Sequence, residues 1–153
     1  DLGEQSPGWK FAEYEMKGVP LRVELGPKDI ENNQCVVVRR DNGEKTVVSL
    51  DELETKLPEL LKAVHDGLYN KALERRAAMT FEAHNLEEIK EIADTKPGFI
   101  KAMWCGEREC EDKLKEYAGI TSRCIPFEQE HIDGKCVCCG KEAKHMLYWG
   151  KAY

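Results

Sequence analysis

Residues 35–50 read CVVVRRDNGEKTVVSL, and this stretch predicts how the N-terminal half of the chain pairs its strands. Its two apolar runs are rich in valine, which is typical of strands, and the polar segment DNGE between them is typical of a turn. Asn42 and Gly43 predict a type I′ turn, because both residues tolerate the positive φ that this turn requires. The stretch therefore predicts a β-hairpin with strands over residues 35–40 and 45–50.

A short helix and a third strand are predicted on the N-terminal side of the hairpin. Ser6 is a favourable N-cap and Pro7 a favourable first helical residue, and apolar residues follow at helical spacing as far as Met16. Residues 19–25 alternate apolar and charged side chains, which is the pattern of a half-buried strand. A glycine follows each of the two segments and favours its ending there.

The pattern becomes helical on the C-terminal side of the hairpin. Ser49 and Glu52 match a capping box, and Leu53 and Leu57 follow one turn apart, which predicts a first helical turn. Pro58 is predicted to interrupt this turn and to start a new helix that continues toward Glu82. The apolar face of the new helix is formed by Leu60, Leu61, Val64 and Leu68. Residues 86–93 predict a further helix, and residues 99–104 predict a strand that runs into the first group of cysteines. The change of pattern predicts a domain boundary between residues 81 and 86.

Two domains, 1–83 and 84–153, are therefore expected. A chain of 153 residues, 41% of them hydrophobic, is long enough for two small domains with modest cores. The first domain is expected to be an α/β structure with a sheet and helices, and the second a small α+β structure.

Composition excludes several classes of function. A net charge of −6 and a pI near 5.3 are not typical of a general nucleic-acid binder, so any RNA contact must be local. No apolar run approaches the roughly 20 residues that span a bilayer, so no membrane association is expected. The sequence contains no P-loop, no Gly-x-Gly-x-x-Gly and no Gly-x-Ser-x-Gly motif, so no catalytic chemistry is predicted within it.

Five of the seven cysteines lie in two groups near the C-terminus. They form the pattern C-x4-C, then 25 residues, then C-x2-C, which is typical of a closed structural zinc site because each pair can turn two sulfurs toward one ion. The predicted ligands are Cys105, Cys110, Cys136 and Cys139. Clustered thiols also favour a reducing compartment, and hence the cytoplasm, over a disulfide framework.

Other assignments of these residues stay open at this point. Cys138 competes for the fourth ligand position, His131 and His145 are more distant candidates, and the grouped cysteines can also be buried thiols without a metal. Cys35 and Cys124 stand apart from the groups and lie beside apolar residues, so both are expected to be small core residues and not nucleophiles.

The chain resembles a known family in both halves. Residues 6–11 (SPGWKF), 13–22 (EYEMKGVPLR) and 26–31 (GPKDIE) resemble the anticodon-binding domain of prolyl-tRNA synthetase of the archaeal and eukaryotic type. The cysteine pattern and the ending YWGKAY at residues 148–153 resemble the C-terminal zinc-binding domain of the same enzyme. The resemblance covers nearly the whole chain.

This resemblance implies more than the sequence shows by itself. It implies a mixed sheet in the first domain with its N-terminal part missing, and a class II catalytic domain upstream in the same polypeptide. The parent enzyme would be a homodimer that joins proline to its tRNA using ATP and magnesium. The 153-residue chain would then be inactive alone. The alternative is a stand-alone RNA-binding or regulatory zinc protein derived from such domains.

The resemblance also implies particular roles for residues. Three residues match those that read guanines in the anticodon of proline tRNA: Glu15 near the end of the first helix, Arg22 on the strand and Lys28 in the loop after that strand. The alternative is that they are ordinary surface charges. The chemistry is suitable, because a carboxylate can accept from guanine N1 and N2, and a basic side chain can donate to O6 and N7. The carboxylate of Tyr153 would reach toward the catalytic domain, and the alternative is a frayed terminus.

Overall fold

The computed structural model describes residues 3–151, which divide into two compact units between Ala72 and Leu73. This division falls inside a long helix, whereas the boundary predicted from the sequence, after residue 83, lies beyond the end of that helix. Across the described range, no helix combines the length and the apolar character needed to cross a bilayer.

The first unit contains a three-stranded sheet flanked by helices. Its elements are helix α1 (Pro7–Met16), strand β1 (Leu21–Glu24), helix α2 (Pro27–Glu31), strands β2 (Gln34–Arg39) and β3 (Lys45–Ser49), a 3-10 turn (Leu50–Glu52) and helix α3 (Leu53–Ala78). The predicted first helix, third strand and hairpin are thereby confirmed. Ser6 caps α1 as predicted, because its hydroxyl oxygen accepts from the Trp9 amide at 3.4 Å.

The sheet has the order β1-β2-β3, and both pairs are antiparallel. The mixed sheet expected for the first domain is therefore not found among residues 3–72. The physical reason is that successive strands here are joined by short connections, whereas a parallel pair needs a longer crossover.

The turn of the hairpin differs from the predicted type I′ geometry. Gly43 has φ of 73°, but Asn42 is not among the residues with positive φ, although a type I′ turn requires both. The loop instead spans residues 40–44, and the Arg39 amide donates to the Glu44 carbonyl at 3.0 Å. The Asn42 side chain accepts from the Glu44 amide at 3.0 Å, so its local hydrogen bond stabilises this wider loop.

Helix α3 includes the predicted turn with Leu53 and Leu57 and continues through Pro58, so the predicted break and new start at Pro58 are wrong. A proline within a helix removes one hydrogen bond, and here apolar packing on the sheet offsets that loss. The contacts join partly buried Leu53, Leu57 and Leu60 of the helix to buried Cys35, Val37 and Val48 of the sheet. The predicted core role of Cys35 is confirmed.

Two other predictions about this helix are wrong. Of the predicted apolar face, Val64 is buried, but Leu61 and Leu68 are 45% and 44% exposed. The helix ends at Ala78, so it does not continue toward Glu82. Residues Thr80–Glu82 form strand β4 instead, because they pair in parallel with the strand that begins at Phe99.

The second unit is a four-stranded sheet covered on one face by two helices. After β4 come helix α4 (Leu86–Thr95), strand β5 (Phe99–Trp104), helix α5 (Arg108–Ala118) and strands β6 (Ile120–Cys124) and β7 (His145–Lys151). The strand order is β4-β5-β7-β6, with β4 and β5 parallel and the other pairs antiparallel. The predicted helix over residues 86–93 and the strand over 99–104 are confirmed.

The core of the second unit lies between the sheet and its helices. Its fully buried members include Ile89 of α4, Leu114 of α5 and Trp149 of β7. Cys124 does not join this core and is exposed, so its predicted core role is wrong. It lies at the end of β6, where the register with β7 shifts between Ser122 and Cys124, and this irregularity removes it from the regular alternation of the strand.

Gly98 provides a test of this sheet, because it precedes β5 with φ of 140° and a β-carbon there would overlap the Met79 carbonyl. We expect Gly98→Ala to lower the free energy of unfolding by more than about 2 kcal/mol, because both the backbone angle and the space exclude a side chain. Gly134→Ala is the matched control, since a β-carbon at that position would have no atom within 4 Å. Equal urea denaturation midpoints for the two variants would contradict this packing.

Candidate nucleic-acid interface and metal centre

A cluster of charges surrounds Arg22 of β1. Its Nη1 donates to Oε1 of Glu15, near the end of α1, at 2.6 Å, and its Nε donates to Oε1 of Glu24 at 2.9 Å. The Arg22 side chain is 22% exposed, whereas that of Glu15 is 52% exposed. The structure therefore brings two of the three predicted base-reading residues, Glu15 and Arg22, into direct contact.

The Arg22 guanidinium also lies over the ring of Phe11, with its carbon 3.9 Å from the ring centroid. This is the geometry of a cation–π interaction, which restricts how the planar group can turn. Burial opposes the charged form, but the hydrogen bonds with Glu15 and Glu24 outweigh it and raise the pKa of Arg22. The guanidinium is therefore a fixed positive charge at this surface.

Lys28, the third predicted residue, is exposed in the first turn of α2 and not in a loop. Its carbonyl accepts from the side-chain amide of Asn32 at 2.8 Å. Among residues 3–151, the structure shows no ion pair between Lys28 and a carboxylate. Its ammonium group is thus available to an anionic or carbonyl-bearing ligand, but the structure does not bring it into contact with Glu15 or Arg22.

Sequence reasoning did not assign the two other contacts of Arg22. Glu24 lies two residues after Arg22 in a strand, so both side chains occupy the same face of the sheet. That spacing was a usable signal for Glu24. Phe11 carried no such signal, because its contact depends on how α1 packs against β1.

The second candidate site is the group formed by Cys105, Cys110, Cys136 and Cys139, whose sulfur atoms all lie within 4.8 Å of one another. The distance from the Cys105 sulfur is 3.6 Å to Cys110 and 3.8 Å to Cys139. Sulfurs at zinc-ligand distance in a tetrahedron are about 3.8 Å apart. The donor set and its spacing therefore fit a tetrahedral metal ion.

The local backbone explains why these sulfurs converge. Cys105 follows β5 and Cys110 lies in the first turn of α5, while Gly106 between them has φ of 93°. In the second pair, the Gly140 amide donates to the Cys136 carbonyl at 2.9 Å, with Gly140 at φ of 70°. Each pair thus comes from one tight turn that requires a left-handed glycine.

The protonation state of the four cysteines also determines whether they can bind a metal ion. Burial raises the pKa of the Cys105 and Cys110 thiols, whereas a backbone hydrogen bond from Lys141 lowers the pKa of Cys139 to about 7. Buried thiols without a cation therefore favour the neutral form. A bound metal ion would reverse this preference, because it stabilises thiolates directly.

The rival ligands lie outside the group. Cys138 is partly buried and packs against both the hydrophobic core and the cysteine group, but it is not among the four cysteines whose sulfurs converge within 4.8 Å. His131 is exposed, and the ring of His145 packs beside that of Trp104, with 6.4 Å between their centroids. Among the described residues, the four cysteines are the group of potential metal ligands that the structure brings together.

Each of the two units contains a region that matches a known protein family. A family profile described as "Anticodon binding domain" matches residues 1–60, and one described as "Prolyl-tRNA synthetase, C-terminal" matches residues 86–153. The chain carries the anticodon-binding and C-terminal domains of prolyl-tRNA synthetase.

Individual prolyl-tRNA synthetases are similar along the whole chain. The proline-tRNA ligase of Clostridium novyi is 67% identical over all 153 residues, and proline-tRNA ligase 2 of Bacillus cereus is 61% identical over the same length. The protein of Lachnoclostridium phytofermentans is also 61% identical. The chain covers 32% of each of these relatives, so it spans about a third of their length. These relatives are bacterial, and the similarity alone does not assign the archaeal and eukaryotic type.

The remaining predicted site residue of the synthetase domains, Tyr153, lies outside the described residues.

The metal centre is tested by metal content. We expect the purified chain to bind about one equivalent of zinc and to lose it when Cys105→Ser and Cys136→Ser are combined, because two of four ligands are removed. Cys124→Ser is the matched control, since this exposed cysteine lies outside the group. Undiminished zinc in the double variant would contradict the site, and loss of zinc in Cys138→Ser alone would reassign the fourth ligand.

Proposed function

We propose that this chain is the anticodon-reading and zinc-binding C-terminal part of a proline-tRNA ligase of the archaeal and eukaryotic type. The observation that carries the proposal is the contact between Glu15 and Arg22 at an exposed edge of the anticodon-binding domain. The four-cysteine group in the C-terminal domain supports the assignment of type, because this arrangement resembles the zinc domain of that form of the enzyme.

In this proposal Glu15 and Arg22 read a guanine of the anticodon, and Lys28 reads a neighbouring one. Arg22 would donate to O6 and N7 of guanine, and Glu15 would accept from N1 and N2. Single-stranded anticodon bases expose both of these edges once they unstack. Arg22 and Lys28 are balanced in charge by Glu15 and Glu24, so an RNA contact at this place would depend on directed hydrogen bonds to bases and not on a basic patch.

Zinc would have a structural role in this protein. Four protein ligands leave no open coordination position, and a closed site stabilises the fold but does not activate water. Zinc held by Cys105, Cys110, Cys136 and Cys139 would fix the end of β5 to the start of α5 and to the turn before β7. The zinc-binding domain, proposed as residues 84–153, would depend on it.

The remaining features of the parent protein follow from the same proposal. A catalytic domain upstream would use ATP and magnesium to activate proline and would transfer it to the tRNA. The parent would work in the cytoplasm as a homodimer, and residues 1–83 would belong to its anticodon-binding domain. The carboxylate of Tyr153 would contact that catalytic domain.

Base reading is tested by Arg22→Ala in the full-length parent enzyme. We expect this variant to lose about 1 to 3 kcal/mol of discrimination between cognate tRNA and a transcript with one anticodon guanine replaced, which is the value of one good base-edge pairing. Proline activation should survive, because the change lies outside the catalytic domain. The measurement is kcat/KM for aminoacylation of both transcripts.

Arg40→Ala is the matched control, because Arg40 is exposed in the same unit and forms no ion pair among the described residues. Glu15→Ala and Lys28→Ala complete the series. A lysine that contacts phosphate would instead weaken all tRNAs alike and reduce the salt dependence. An unchanged cognate preference in all three variants would show that these residues are ordinary surface charges.

The chain alone should form no prolyl-adenylate, because it contains no sequence motif for an ATP site. The measurement is proline-dependent exchange of pyrophosphate into ATP by the purified chain, with the full-length parent as the positive control. Exchange above background would contradict the placement of catalysis in the part of the parent that this chain lacks.

A further inference from the structure

The three contacts of the Arg22 guanidinium engage different parts of the group. Nη1 donates to Glu15, Nε donates to Glu24, and the flat face of the group lies over Phe11. Within residues 3–151, no hydrogen bond from Nη2 is found. The end of the guanidinium is therefore half occupied, by Glu15 alone, while its Nε side and one face are occupied by other residues.

A base that binds the end of the guanidinium needs both Nη1 and Nη2. Bidentate donation to guanine O6 and N7 uses one N–H group of Nη1 and one of Nη2, and the Glu15 carboxylate at Nη1 competes with the base for this end of the guanidinium. The contacts with Glu24 and Phe11 do not compete with the base. These two contacts can persist in the bound state and hold the Nη1 and Nη2 groups of Arg22 in one orientation.

The carboxylates of Glu15 and Glu24 also differ in their burial and in their position on the backbone. The Glu15 side chain is 52% exposed near the end of a helix, whereas that of Glu24 is 25% exposed on a paired strand. The other carboxylate oxygen of Glu24 lies 4.0 Å from the ammonium of Lys45 on β3, which further restricts it. Glu15 is thus the more exposed partner of Arg22, and Glu24 is the more buried one, with a second cation nearby.

We propose that Glu24 and Phe11 are positioning residues for base reading, which hold the Arg22 guanidinium in place while Glu15 exchanges its bond to Arg22 for a bond to guanine. This inference rests on the proposed function of Glu15 and Arg22. It adds that specificity depends on two residues that need not touch the base.

Removal of Glu24 has a definite physical consequence. Arg22 would then have Glu15 as its single carboxylate partner and could turn its Nε and Nη groups toward it. A guanine would have to break a stronger ion pair and to orient a freer side chain. Both effects reduce the preference for guanine, because pre-organisation of the reader is lost.

The test uses aminoacylation by the full-length parent enzyme on cognate tRNA and on a transcript with one anticodon guanine replaced. The quantity compared is kcat/KM on the cognate tRNA divided by kcat/KM on the altered transcript. We expect Glu24→Ala to reduce this ratio about fivefold, which is the lower end of the discrimination that a bidentate base contact provides. Phe11→Leu should reduce it about two- to fivefold, because it removes the cation–π contact. Glu24→Gln should keep most of the discrimination that Glu24→Ala loses, because the glutamine amide oxygen can still accept from Nε.

A double-mutant cycle distinguishes positioning from a general structural role. If Glu24 acts through Arg22, then Glu24→Ala should have no further effect on the ratio in the Arg22→Ala background. Glu54→Gln is the matched control, because it removes an exposed carboxylate of the same unit that forms no ion pair in the part of the chain described. In all of these variants, the melting temperature and the rate of proline-dependent pyrophosphate exchange should stay at the values of the parent enzyme.

Each outcome decides the inference. Loss of discrimination in Arg22→Ala with none in Glu24→Ala and Phe11→Leu would overturn the positioning role and leave the proposed function intact. An equal loss caused by Glu24→Ala with and without Arg22 would also overturn it. No loss in Arg22→Ala itself would overturn the proposed reading site, and the positioning role with it.

Discussion

The alternation of side chains along a strand is the constraint on which both units depend. In the first unit it places Cys35 and Val37 of β2 on one face, where they bury against the first turns of α3. The same rule gives Arg22 and Glu24 of β1 a common face, because they are two residues apart. A shift of one residue in the register of β1 would turn Arg22 and Glu24 toward the face that packs on α3, so the hydrophobic pattern also determines where the charged cluster can form.

In the second unit, the alternation of side chains places core residues on one face of the sheet, and one of these strands leads to the cysteine group. One face of its sheet buries Ile100 and Trp149 beneath helices α4 and α5, and the strand carrying Ile100 then delivers Cys105 to the thiol group. Cys105, Cys136 and Cys139 lie in connections outside the strands and helices, and a metal ion would join these connections to the start of α5. The unit would then combine a conventional core with a metal-dependent end.

Much of the architecture could be predicted from sequence, because local signals and tertiary packing agree in most segments. Ser6 with Pro7 correctly located the first helix, and the spacing of the cysteine pairs correctly identified which sulfurs come together. The errors arose where tertiary contacts outweighed local preference. Pro58 remains inside a helix because neighbouring leucines pack on the sheet, and residues 80–82 leave the helical pattern because a partner strand is available.

The charged cluster could be predicted only in part. The resemblance to the family named Glu15 and Arg22 as candidates, but their contact at 2.6 Å follows from the way α1 packs against β1. Phe11 belongs to the same packing, and a strand pattern alone cannot identify it. Lys28 was expected in a loop, and its place in the first turn of α2 depends on the cap that Asp29 provides to the Gly26 amide at 2.9 Å.

In the proposed mode of base reading, a guanine replaces Glu15 at the end of the Arg22 guanidinium. A crystal structure of the full-length enzyme bound to proline tRNA would show it through the distances from Arg22 to its neighbours. We expect an anticodon guanine with O6 and N7 within about 3 Å of Nη1 and Nη2, Glu15 on the opposite base edge, and Glu24 still on Nε. An Arg22 that keeps its bond to Glu15, with the anticodon guanines bound elsewhere, would refute this mode of reading.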